Sequence, residues 1–170
     1  MKQIKDMDKA ALESEMTTTL DKVINLLSKQ NDATLEKRIR PGAWTIGQLG
    51  WHVVKATRDM TNAPTRKADR KFDKYVEDIE DVFMNDNVRL TAPEALVPED
   101  RTYTVEEVLK ALRHNKAAAL NIIREKDLTE QVMINELPGW GYLTRYEWAK
   151  LMVYHVTRHT KQLVEYFEEI

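Results

Sequence analysis

The side chains best suited to chemistry in this chain are histidines, and two of its four, His155 and His159, stand in the stretch YHVTRHTKQL. Four residues apart on a helix, they lie one turn apart on the same face. A third, His52, sits between Leu49, Val53 and Ala56, on or beside another apolar stripe. Neutral imidazoles are ligands of divalent transition metals, and three of them leave a coordination position open for water or substrate. An i, i+4 pair gives one rigid edge of such a site, and a distant third ligand fixes the ion between helices. Alone, an H-x-x-x-H pair arises often by chance, and a lone inward histidine is more often a hydrogen-bonded core residue. The combination, in a chain so poor in histidine, points to metal. His114, among Arg113, Asn115 and Lys116, reads as solvent-facing.

Around this triad the supporting candidates are few. Gln48 and Gln162 could orient imidazoles or bound water; Gln48 also fits a capping role and Gln162 a helix surface. As general bases, Asp59 lies about 10 Å along the helix from His52, and Glu147 is occupied by a cap. H-E-x-x-H is absent, which argues against a metalloprotease. Arg158 could meet an anionic substrate but reads better as a surface or interface residue. Trp51, Tyr154, Trp140 and Tyr142 read as core or interface aromatics and are left outside the site.

Helices must position these groups, and their starts are marked. Capping boxes, in which Ser or Thr and a Glu or Gln three residues on satisfy each other's backbone N–H groups, occur at Thr45/Gln48, Thr104/Glu107 and Thr144/Glu147. Each precedes a run of helical periodicity. A first helix over 8–29 carries Leu12, Met16, Leu20, Val23 and Leu27 at three-to-four spacing. The others are expected over 46–62, 105–126 and 145–168, with Pro64 closing the second. Period-two alternation is absent at comparable length, so the expectation is an all-α four-helix bundle in a single domain, 1–170. About 40 residues separate the second and third helices, too many for an empty loop. FDKYVEDIEDVFMND (72–86) can form a short extra helix there. The segment 64–103 either covers the pocket mouth or lies along the bundle, and its basic stretch 65–74 reads as solvated.

Composition sets outer limits. The 170 residues are 42% hydrophobic and 32% charged with a net charge of -2, the balance of a soluble globular protein with no pull toward nucleic acid or anionic lipid. With no cysteine, disulfides and thiolate sites are excluded, and any thiol chemistry needs an external thiol. No run reaches the length of a membrane span and no leader is evident, so a cytoplasmic location is expected.

The stretches AWTIGQLGWHVV (43–54) and EWAKLMVYHVTRHTKQL (147–163) resemble the DinB superfamily, which includes YfiT-like proteins. The resemblance rests on Trp44 and Thr45 at the start of the second helix, His52 seven residues beyond that cap, and His155, His159 and Gln162 near the C-terminus. It implies a bundle of up-down-down-up order with a long crossover between helices 2 and 3, frequently homodimeric. It further implies a divalent metal, Zn, Ni or Fe, on His52, His155 and His159. The activities it implies are those of metal-dependent transferases or isomerases that use a low-molecular-weight thiol with a small-molecule substrate; a metal-bound water at the same site would give hydrolysis instead. The alternative is a non-catalytic bundle in which the metal site is structural or vestigial and the surface serves dimerisation or binding. Gly47 and Gly50 depart from good helix sequence by about 1 kcal/mol each relative to Ala.

Overall fold

Apolar residues at helical spacing, each run opened by a cap, give a mostly helical chain. In the computed structural model, which describes residues 6–58 and 63–169, the helices are α1 (Asp6–Ser28), α2 (Asp32–Leu35), α3 (Ile46–Ala56), α4 (Val76–Phe83), α5 (Val105–Glu125) and α6 (Arg145–Glu169). The three capping boxes all form. Thr45 Oγ1 accepts from the Gln48 N–H at 3.0 Å while Gln48 Oε1 accepts from the Thr45 N–H at 2.9 Å. Thr104 with Glu107 and Thr144 with Glu147 repeat the exchange at the starts of α5 and α6. The α1 stripe is buried as its spacing requires: Leu12, Met16, Leu20, Val23 and Leu27 all lie in the core, each contributing about 1.5–3 kcal/mol of burial.

The second bundle helix is shorter than its periodicity suggests. It ends at Ala56, where the Thr57 hydroxyl turns back to the Val53 carbonyl at 2.9 Å. Asn115 of α5 then donates to the Val54 carbonyl and to Thr57 Oγ1, holding that end against the neighbouring helix. Met60 and Asp59, expected on this helix, lie outside the described residues.

Long-range bonds fix the helix directions. Glu13 with Arg124 and Asp21 with Lys116 make α1 and α5 antiparallel. Gly50 against Val108, then Val54 against Asn115, make α3 and α5 parallel. Lys9, near the start of α1, donates to the Lys126 carbonyl just past α5, and the Tyr146 N–H at the start of α6 donates to the nearby Leu128 carbonyl. Helices α1 and α6 therefore start at the same end and run the same way, with Lys150 paired to Glu15. Helices α1 and α3 each pack against both α5 and α6. The result is the four-helix bundle in up-down-down-up order, with α4 added on the outside of α6.

Gly47 is required by this packing. A Cβ there would stand 3.2 Å from the Leu35 carbonyl oxygen and 3.2 Å from Tyr103 Cβ. Gly50 is less constrained, with Val108 Cγ1 at 3.4 Å as the nearest neighbour of such a Cβ.

The crossover is anchored, and this corrects the solvated reading of 65–74. Arg70 makes a two-pronged ion pair with Glu147, both bonds 2.8 Å, and Glu147 is fully buried. Glu147 also accepts from the Tyr75 N–H at 3.0 Å, so one carboxylate caps α6 and pins the crossover to it. Ala68 and Phe72 are buried in the same stretch. Thr65–Arg66 (β1) pairs antiparallel with Gln131–Val132 (β2), a ladder of two residues per strand and too short for sequence alternation to reveal. Beyond α4 the chain runs through a single 3-10 turn, Glu94–Leu96, which packs on α3. The crossover therefore does both things expected of it as alternatives: α4 lies along α6, and the following stretch walls the site.

Candidate metal centre

Three imidazoles meet where α3 crosses α6. His52 Nε2 lies 3.0 Å from His159 Nε2 and 3.1 Å from His155 Nε2, and the three ligand atoms all lie within 4.8 Å of one another. The i, i+4 spacing on α6 supplies two nitrogens on one face, and the short α3 supplies the third from across the bundle. His114, by contrast, is exposed on α5.

The outer nitrogens decide which lone pairs point inward. His52 Nδ1 is 2.8 Å from the Leu96 carbonyl, which can only accept, so Nδ1 carries the proton and Nε2 a lone pair. His159 Nδ1 is 2.6 Å from Gln162 Oε1, which sets the same tautomer. Two nitrogen lone pairs thus face each other at 3.0 Å. A proton on His155 Nε2 can serve His52, yet the His52–His159 pair remains lone pair against lone pair.

Protonating the rings is not the escape. Burial holds His155 well below the ordinary histidine range, reinforced by repulsion from His159. Burial likewise brings His159 down to about 4, with His52 adding to the effect. His52 is lowered too, again mainly by burial. Near neutral pH the site is three neutral donors converging on one point. A cation with metal–nitrogen bonds of about 2.0–2.1 Å spaces its imidazole nitrogens roughly 2.9 Å apart in octahedral and 3.3 Å apart in tetrahedral geometry. The two separations measured from His52 fall within that interval, and the third pair lies within 4.8 Å, so the donor set suits a divalent transition metal. The outer N–H groups of His52 and His159, each bonded to a carbonyl oxygen, are held as metal-ligating histidines are.

The remaining candidates separate clearly. Gln162 bonds His159, as an orienting group would. Gln48 does not take that role: its Oε1 is in the α3 cap and its Nε2 donates to the Glu99 carbonyl at 3.5 Å. Glu147 is buried in the Arg70 pair at the start of α6. Arg158 is neither a bare surface group nor an idle one. It donates to the carbonyls of Phe83 at 3.0 Å and Asn85 at 3.1 Å, at the end of α4, and to that of Val88.

The histidines line a cavity of about 810 Å³. Its walls come from the crossover (Phe83, Leu90, Leu96), from the loop before α6 (Ile134, Leu137, Trp140) and from α6 itself. Trp44 lies in the lining with its ring 5.1 Å from that of His52, and Phe83 lies 5.2 Å from His155. Trp140, set aside in the sequence as a core or interface aromatic, is therefore part of the site, as is Trp148. Only tertiary structure brings them there. Position in a turn-rich loop was the one available signal for Trp140.

A four-helix bundle whose α3 and α6 bring three imidazoles to the wall of a deep cavity is the class that fold and site define. The chain belongs to the DinB superfamily, whose family model matches residues 15–163. Among solved structures it is similar to YfiT from Bacillus subtilis, described as a probable metal-dependent hydrolase with an unusual four-helix bundle topology. That similarity has a TM-score of 0.62 at 14% identity and covers 99% of this chain and 90% of the other. At this identity it shows the shared fold. No curated protein matches the chain. No described helix is long and apolar enough to cross a membrane.

Proposed function

We propose that this protein is a metal-dependent enzyme acting on a small molecule, with His52, His155 and His159 as the ligands of one divalent ion, Zn, Ni or Fe. The observation that carries the reading is the pair of Nε2 lone pairs of His52 and His159 facing each other at 3.0 Å beside a cavity of about 810 Å³. Metal binding supplies the missing positive charge, and the cavity supplies access. A structural ion sealed among side chains would have no use for such a space.

A divalent ion held by three neutral ligands supplies Lewis acidity at nearly its full charge, the chemistry needed for hydrolysis or for activating an external thiol. The chain's own residues do the rest. Leu96 and Gln162 hold two imidazoles in the tautomer that presents Nε2. The rings of Trp44 and Phe83 pack against those of His52 and His155 within the cavity lining. Arg158 sets a positive potential beside His159. Glu147, tied to Arg70, is not the proton acceptor.

Our reading of the reaction is hydrolysis or thiol S-transfer, and the resemblance to DinB proteins adds to it a cytoplasmic homodimer and a low-molecular-weight thiol. The test is an assay of both classes, ester and amide hydrolysis and conjugation of a thiol to an electrophile, on protein loaded with Zn, Ni or Fe(II). Turnover that needs the ion and disappears in His159→Ala is expected. Absence of both activities with every metal would return the chain to the alternative of a non-catalytic binding module.

A further inference from the structure

The cavity beside the histidines has a definite chemical character. Leu90, Ile134, Leu137, Trp140, Trp148 and Leu151 make much of its lining apolar. Five large apolar side chains are exposed among the described residues, and two of them, Leu90 at 43% and Ile134 at 46%, belong to this lining. An apolar wall that continues to solvent is what a site for an apolar ligand presents before it is filled.

The charges in the same lining are one-sided. Lys55, Arg58 and Arg158 are positive, and Glu136 is the single carboxylate. Lys55 is matched by Glu99 at 2.6 Å. Arg158 is held by backbone carbonyls, which fix its position without cancelling its charge. Arg58 is exposed. The cavity therefore carries excess positive charge beside neutral imidazoles even before a metal ion is counted. Apolar walls and cations in excess of the lining carboxylates together select for a ligand with both features.

We infer that the substrate is an amphiphilic anion, with an apolar body against the Ile134–Trp140 wall and one carboxylate or similarly charged group turned toward Arg158 and the histidines. The inference rests on this cavity being the substrate site of the proposed enzyme, and it does not depend on the ion being bound. A volume of about 810 Å³ accommodates a ligand of drug size rather than a two- or three-carbon acid.

The probe is decanoate, with decan-1-ol as the same body without charge and acetate as the same charge without a body. Binding is measured by calorimetry on the protein as purified and after chelator treatment. Decanoate is expected to bind both forms at one equivalent, about tenfold or more tighter than decan-1-ol, with acetate far weaker than either. Ile134→Glu places a carboxylate on the exposed wall, where it costs little folding, and is expected to weaken decanoate about tenfold or more. Circular dichroism confirms that the variant is folded. Equal affinity for decanoate and decan-1-ol, no decanoate binding, or an Ile134→Glu variant that binds decanoate like the parent would overturn the inference. Because the chelator-treated protein is measured separately, failure of the metal reading leaves decanoate binding intact. An active, metal-loaded protein indifferent to decanoate would sink the ligand class alone.

Discussion

His52 and His159 face each other Nε2 to Nε2 at 3.0 Å while each has its Nδ1 bonded to a carbonyl oxygen, Leu96 for one and Gln162 for the other. That relationship is unfavourable in a bare bundle and favourable around a cation. It also explains why the site draws on residues far apart in sequence: the Leu96 acceptor comes from the crossover, so the path of that segment bears directly on the ligand set.

Gln162→Leu removes the acceptor that fixes the His159 tautomer while keeping the side chain's bulk. Metal affinity should fall by about 10–100-fold, with the helical circular dichroism unchanged. Titration of the apo variant against a chelator of known affinity reads this directly. An unchanged affinity would show that Gln162 is only helix surface.

Stability of the metal-free protein should fall on acidification. The imidazoles are held neutral in the folded state, His159 with a value of about 4, whereas in the unfolded chain they titrate near 6.5. Between those values the unfolded state binds the extra proton, so stability is full above about 6.5 and is lost as the pH falls toward 4. The slope is about 1.4 kcal/mol per pH unit for each such histidine. Urea unfolding at pH 7, 6 and 5 measures it, and His159→Gln should flatten the dependence.

Arg70→Leu leaves the buried Glu147 without its cation. The cost should be about 3 kcal/mol, the low end for breaking a buried pair, because Glu147 keeps the N–H groups of Thr144 and Tyr75. Unfolding in urea gives the value, and a change below 0.5 kcal/mol, typical of exposed pairs, would contradict the anchoring role.

The two glycines of α3 should respond with opposite signs. Gly50→Ala gains helix propensity worth up to about 1 kcal/mol and meets only ordinary contacts. Gly47→Ala drives its methyl to 3.2 Å from the Leu35 carbonyl oxygen and Tyr103 Cβ, neither of which moves easily, and should be destabilising. Paired melting curves decide this.

Much of the architecture was legible because its signals are local. A capping box involves residues three apart, and the α1 stripe reads directly from Leu12 to Leu27. The three histidines were legible through spacing and inward-facing position. The remainder depends on contacts distant in sequence. Thr57 ends α3 by bonding back to Val53 with Asn115 behind it, and periodicity alone carried that helix too far. Arg70 looked solvated because its partner is 77 residues away. Gln48 and Gln162 could not be separated by type: the cap takes one and His159 the other. Trp140 and Trp148 become site residues only when the crossover and the loop before α6 close on the same space.

Metal content is the decisive measurement for the three-histidine site. Tag-free protein purified without chelator, and a His155→Ala variant beside it, are analysed for elements by mass spectrometry. About one equivalent of transition metal per chain is expected in the parent, lost in the variant while the helical circular dichroism persists. A parent that holds no metal, even after incubation with Zn, Ni and Fe(II), would contradict this expectation.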